Sequence, residues 1–135
     1  MDVRNVMSSD VASIESRDTL QAAAAKMAEI NVGSLPVLRD GRLAGIVTDR
    51  DIVVRAVARG AAPDTAVADA MSDGVVTLSP DMSVDEAARL MSDKQIRRLY
   101  VVDEDRLVGV VSLGDLAVDA ETDDAGEALR EISKD

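Results

Sequence analysis

Two short stretches of this chain place a carboxylate three residues after a hydroxyl: Thr48 with Asp51, and Ser112 with Asp115. Each follows an apolar run opened by glycine, from Gly45 and from Gly109, so each hydroxyl falls where a strand gives way to a helix. Residues of these types can do two things there. As a capping box, the hydroxyl accepts from the third helical amide and the carboxylate stabilises the first turn. Alternatively, the free amides and the hydroxyl meet a phosphate while the carboxylate accepts from a ribose diol, as an acidic residue does in dinucleotide folds. An adenosine phosphate satisfies both halves of the second arrangement.

The two stretches are sixty-four residues apart because the chain repeats at that distance. Residues 7–52 overlay 71–116 without a gap, with thirteen of 46 positions identical, among them Met7/Met71, Leu35/Leu99, Gly45/Gly109 and Asp51/Asp115. An ungapped match of this length marks a duplicated structural unit. Within it, residues 11–14 and 75–78 read as short extended segments. Leu20, Ala23, Ala24, Met27 and Ile30, repeated by Val84, Ala87, Ala88 and Met91, form one apolar helical face. Asp18 with Gln21, and Ser83 with Glu86, have the residue types of N-terminal caps.

Residues 35–38 and 99–102 then read as strands, joined by tight turns at 39–41 and 103–105 to second strands at 42–47 and 106–111. A second helix begins near Asp49 or Leu113, with Ile52, Val53, Ala56 and Val57 expected to face inward. Gly45 and Gly109 are expected to allow close backbone approach. Residues 66–71 match 3–7 and suggest a brief helical turn. The repeated methionines read as core packing. Each unit is thus strand, helix, strand, strand, helix. The repeats occupy 1–62 and 63–118, followed by an acidic helix or tail over 119–135. At about 60 residues each copy buries little surface alone, so the copies are expected to share a core.

Composition removes several chemistries. The 135 residues include no His and no Cys, and Tyr100 is the only aromatic. A hydrolytic triad, a thiol nucleophile, a zinc site and an aromatic platform for single-stranded nucleic acid therefore lack their residues. The net charge of −11 opposes nucleic-acid and anionic-membrane binding. No apolar run reaches the roughly 18 residues of a membrane span, and no signal-peptide core is evident, so the expected location is cytoplasmic. Asp outnumbers Glu by nineteen to seven and Arg outnumbers Lys by twelve to three. Both an ordinary solvated surface and adaptation to high salt fit that partition.

The order of elements, the strand at Leu35, Pro36 and Val37, the Gly-x-x-Ser/Thr-x-x-Asp closures and the tandem copy together resemble a CBS domain pair, or Bateman module. The resemblance runs from Val3 to about Ala117, and includes small bacterial and archaeal proteins of the hypoxic-response type. It implies an α/β (α+β) fold of two pseudo-two-fold related repeats. It also implies a regulatory, non-catalytic module with no required cofactor, a disk-like homodimer, and an unidentified effector protein as partner. The implied ligand is adenosine-containing: AMP, ADP, ATP or S-adenosylmethionine.

Carried over by position, the resemblance implies two clefts. In the first, Asp51 holds ribose, Thr48 and the following amides hold phosphate, and Val75, Val76, Arg97 and Arg98 complete the site. In the second, Asp115 and Ser112 take those roles, with Val11, Ala12, Gly33 and Ser34. Arg97 and Arg98 make the first the expected anion site, since guanidinium groups suit phosphate. Gly33 and Ser34 supply no cation. The other reading is a structural, protein-binding dimer in which the same motifs only cap helices.

Overall fold

The computed structural model describes residues 1–114 and Leu116; Asp115 and residues 117–135, including the expected acidic tail, lie outside the described residues. In chain order the elements are α1 (Val3–Val6), β1 (Ile14–Glu15), α2 (Leu20–Ile30), β2 (Ser34–Arg39), β3 (Arg42–Thr48) and α3 (Asp49–Asp51). α3 continues into a π-helical turn (Ile52–Ala56) and a 3-10 turn (Val57–Arg59), and a second 3-10 turn covers Val67–Asp69. Then follow β4 (Thr77–Leu78), α4 (Val84–Lys94), β5 (Arg98–Asp103) and β6 (Arg106–Ser112). The mixed α/β order is the one the repeat predicts. The chain forms two compact units, one of Ala12–Val75 and one of Met1–Val11 with the chain from Val76 onward.

In the unit of Ala12–Val75, β1 lies parallel to β2 and β2 antiparallel to β3, from Ser34↔Thr48 at one end to Arg39↔Arg42 at the other. The turn residues Asp40 and Gly41 both have positive φ, 54° and 81°, the combination that a two-residue type I′ hairpin requires. Leu20, Ala23 and Met27 of the expected α2 stripe are buried, whereas Ala24 and Ile30, read as part of the same face, are exposed. Its cap is Thr19 rather than Asp18: Thr19 Oγ1 accepts from the Ala22 amide at 3.0 Å. Asp18 instead closes the preceding turn, its carboxylate accepting from the Glu15 amide at 3.0 Å. Ile14, Leu35, Val37, Val47, Ala56, Val67 and Ala70 complete this core.

The other unit repeats the pattern. β4 is parallel to β5, and β5 is antiparallel to β6. The register of the second hairpin shifts between Val101 and Val102, the counterpart of the shift between Val37 and Leu38 in the first. Ser83 caps α4 as expected, Oγ accepting from the Glu86 amide at 3.1 Å. The hairpin turn again takes positive φ, here at Glu104 (52°) and Asp105 (67°), without glycine. Leu78, Val84, Ala87, Ala88, Met91, Leu99, Val101, Val111, Leu113 and Leu116 form its core with Val3 and Val6.

Each unit therefore has its own hydrophobic cluster, where one shared core was expected. The burial a single copy lacks comes from exchanged leading segments. Residues 1–11 precede the first copy but pack on the second: Val3 and Val6 are buried there, and Ser8 exchanges backbone hydrogen bonds with Val110, both at 2.9 Å. Residues 66–72 lead the second copy but pack on the first, where Ser72 exchanges bonds with Ile46 at 2.8 and 2.9 Å. This explains the repeated glycines. A Cβ at Gly45 would collide with the Ser72 carbonyl oxygen, and one at Gly109 would lie 2.6 Å from Met7 Sδ and 3.0 Å from the Ser8 carbonyl oxygen.

The segment after Asp51 departs from the expected helix. Ala56 is buried and Ile52 is half-buried, but Val53, Val54 and Val57 are 58%, 48% and 64% exposed. The inward orientation expected for Val53 and Val57 assumed α-helical spacing. The i→i+5 bonding of a π turn spaces side chains differently around the axis, so an α stripe does not survive it.

Candidate functional site

Thr48 and Asp51 meet as a complete capping box. Thr48 Oγ1 accepts from the Asp51 amide at 2.9 Å, and Asp51 Oδ2 accepts from the Thr48 amide at 3.0 Å. The structural half of the sequence alternative is thus realised, and it uses one carboxylate oxygen. The other, Oδ1, has no hydrogen bond among the described residues. It faces Arg55 Nε at 3.8 Å, an ion pair one helical turn on, and the Asp51 side chain is 13% exposed. Asp51 therefore keeps one oxygen for an outside donor.

The amides expected to cradle phosphate are already engaged. Asp49 N donates to the Gly33 carbonyl at 2.9 Å, Arg50 N to Asp49 Oδ1 at 2.8 Å, and Asp51 N to Thr48. A phosphate near Thr48 would thus depend on cationic side chains more than on backbone. Arg50 and Arg55 are exposed neighbours.

The strand register places the remaining candidates beside their own motifs. Ser34 pairs with Thr48, and Gly33 sits against Asp49, whose Oδ2 would lie 3.4 Å from a Cβ there. Arg98 pairs with Ser112 in the same way, and the Arg97 carbonyl accepts from Leu113 N at 2.9 Å, repeating the bond between Asp49 and Gly33. Arg97 and Arg98 are exposed, whereas Ser112, Val75 and Val76 are half-buried. Val11 and Ala12 are half-buried where one unit ends and the other begins, as are Val75 and Val76. Asp115 lies outside the described residues.

A polar cavity of about 190 Å³, lined by Glu15, Ser16, Arg17, Arg39, Asp40 and Gly41, sits at the turn joining β2 and β3. Thr48 is at the opposite end, about five residues away along β2, or roughly 17 Å. The cavity therefore belongs to different chemistry from the Thr48–Asp51 motif. Sequence reasoning missed Arg55. Its spacing of four residues from Asp51 was a usable signal, but its second contact, Nη1 donating to the Met71 carbonyl at 3.4 Å, was not visible in the sequence.

Among the described residues no group of His, Cys, Asp or Glu is arranged to hold a metal ion, and no helix is long and apolar enough to cross a membrane. The family model for the CBS domain matches residues 3–57 and 67–121. The chain is 45% identical to the CBS domain-containing protein YhcV of Bacillus subtilis (strain 168) over 132 residues, covering 97% of this chain and 94% of that protein. It is 36% identical to the crystal structure of Hypoxic Response Protein I, which has two coordinated zinc ions (TM-score 0.74; 88% and 98% covered). The CBS domain pair of protein MJ0100, solved with 5'-methylthioadenosine and S-adenosyl-L-methionine, is 29% identical (TM-score 0.71; 87% and 94% covered).

Proposed function

The chain belongs to the CBS domain family as a tandem pair, and on that premise we propose that it is a regulatory, non-catalytic module that binds an adenosine-containing ligand at Asp51. The observation that carries the reading is the second carboxylate oxygen of Asp51. It lies in a mostly buried side chain, anchored by the Thr48 amide, and has no hydrogen bond of its own among the described residues. A ribose diol supplies the donors that such an oxygen lacks. The bound adenosyl groups of the MJ0100 structure support the ligand class.

In this proposal Thr48, Val75, Val76, Arg97 and Arg98 act with Asp51, and the arginines take the phosphate that the engaged amides leave unserved. Ser112, Asp115, Val11, Ala12, Gly33 and Ser34 form the weaker counterpart. The exposed Val53, Val54 and Val57 are the surface through which we assign a homodimer. The signal passes to an effector protein in the cytoplasm, or changes the assembly.

A thermal-shift screen with AMP, ADP, ATP and S-adenosylmethionine at millimolar concentration tests the function. At least one should raise the melting temperature, and Asp51→Ala should remove the rise. No rise with any of them overturns the reading. The completed capping box favours one alternative, a protein-binding dimer in which Thr48 and Asp51 serve only the fold. That alternative predicts a destabilised Asp51→Ala variant and no ligand response in either protein.

A further inference from the structure

Arg55 touches two things that no other side chain joins among the described residues. Its Nε faces Asp51 Oδ1 at 3.8 Å, and its Nη1 donates to the Met71 carbonyl at 3.4 Å. The first partner is the carboxylate oxygen left open by the capping box. The second lies in the segment leading into the second copy, one residue before Ser72, which is bonded in both directions to Ile46. Arg55 stands on the π-helical turn that starts directly after Asp51, and turns of this kind recur at functional sites.

We propose that Arg55 couples occupancy of Asp51 to the hold on the leading segment at Met71 and Ser72. The inference rests on the proposed adenosyl site and supplies its regulation. A diol donating to Oδ1 competes for the same oxygen and displaces the guanidinium. Arg55 then releases the Met71 carbonyl, and the backbone exchange between Ser72 and Ile46 opens more often. Both contacts of Arg55 are long, and its side chain is 51% exposed, so moving it breaks no short bond and buries no charge. The position sixty-four residues on is Asp119, an acid, so the sequence provides the arginine in the first copy only.

The test is backbone hydrogen exchange at Ser72 in the full chain, with and without each of AMP, ADP, ATP and S-adenosylmethionine, in the native protein and in Arg55→Met. Half-exposed ion pairs are weak, so the expected effect is about threefold faster exchange when ligand binds. In Arg55→Met the same increase should be present without ligand, and ligand should add nothing. Binding by the native protein with Ser72 exchange unchanged overturns the coupling and leaves the adenosyl site standing. So does an Arg55→Met variant in which ligand still accelerates exchange. Binding by neither protein removes both the site and its regulation. Binding by Arg55→Met alone also overturns the coupling, because the guanidinium then excludes the ligand instead of yielding to it.

Discussion

Asp51 meets two different partners with its two oxygens, the Thr48 amide and Arg55, and substitution can separate them. Oδ2 receives the Thr48 amide, and Thr48 Oγ1 receives the Asp51 amide. Thr48→Ala should therefore cost about 1 kcal/mol of stability, a typical value for a lost N-cap, measured by urea denaturation. Asp51→Asn keeps an acceptor for the Thr48 amide while removing the charge and the partner of Arg55. Its stability should stay within about 1 kcal/mol of native, since a 3.8 Å ion pair to a half-exposed arginine contributes little, while its response to adenosyl ligands falls. The motif was legible as two alternatives, and nothing in the letters says that the cap takes only one carboxylate oxygen. Arg55 was legible only as a helical neighbour of Asp51. Its contact with Met71 depends on how a segment sixteen residues later returns to the first copy.

At the scale of elements, the periodic features were the readable ones. Both α2 and α4, both hairpins and the need for glycine at 45 and 109 followed from spacing. Gly45→Ala should destabilise by about 2 kcal/mol, because its Cβ would press on backbone rather than on a flexible side-chain end. Asp105→Gly should instead stabilise by about 1 kcal/mol, since Asp105 holds φ at 67° in a turn that favours glycine. Thermal unfolding of the two variants checks both signs. The turns after Asp51 were not readable, because the apolar letters at 52, 53, 56 and 57 satisfy an α stripe as well as they satisfy any other winding. The cap of α2 was misplaced by one residue for a related reason: Asp18 and Thr19 are both good caps, and the turn with Glu15 takes the first.

Over the whole molecule, the repeat revealed duplication but not exchange. Sequence copies are contiguous, whereas each compact unit combines one copy's sheet and long helix with the other copy's leading segment. That follows from non-local burial of Val3, Val6, Val67 and Ala70, residues whose letters say only that they are apolar. The exposed valines carry the prediction at this scale. With −11 net charge opposing self-association, a dimer needs an uncharged apolar contact, so Val53→Asp with Val57→Asp should shift the protein from dimer to monomer in sedimentation equilibrium. A native monomer would remove the assignment.

One carboxylate, Asp51, is the proposed holder of the adenosyl ligand. Calorimetric titration of AMP into the native protein and into Asp51→Asn tests that role most directly. The expected result is saturable binding by the native protein, weakened at least about tenfold by a change that removes the charged hydrogen bonds to the ligand. Equal affinity in the two proteins, or no binding by the native one, would contradict it.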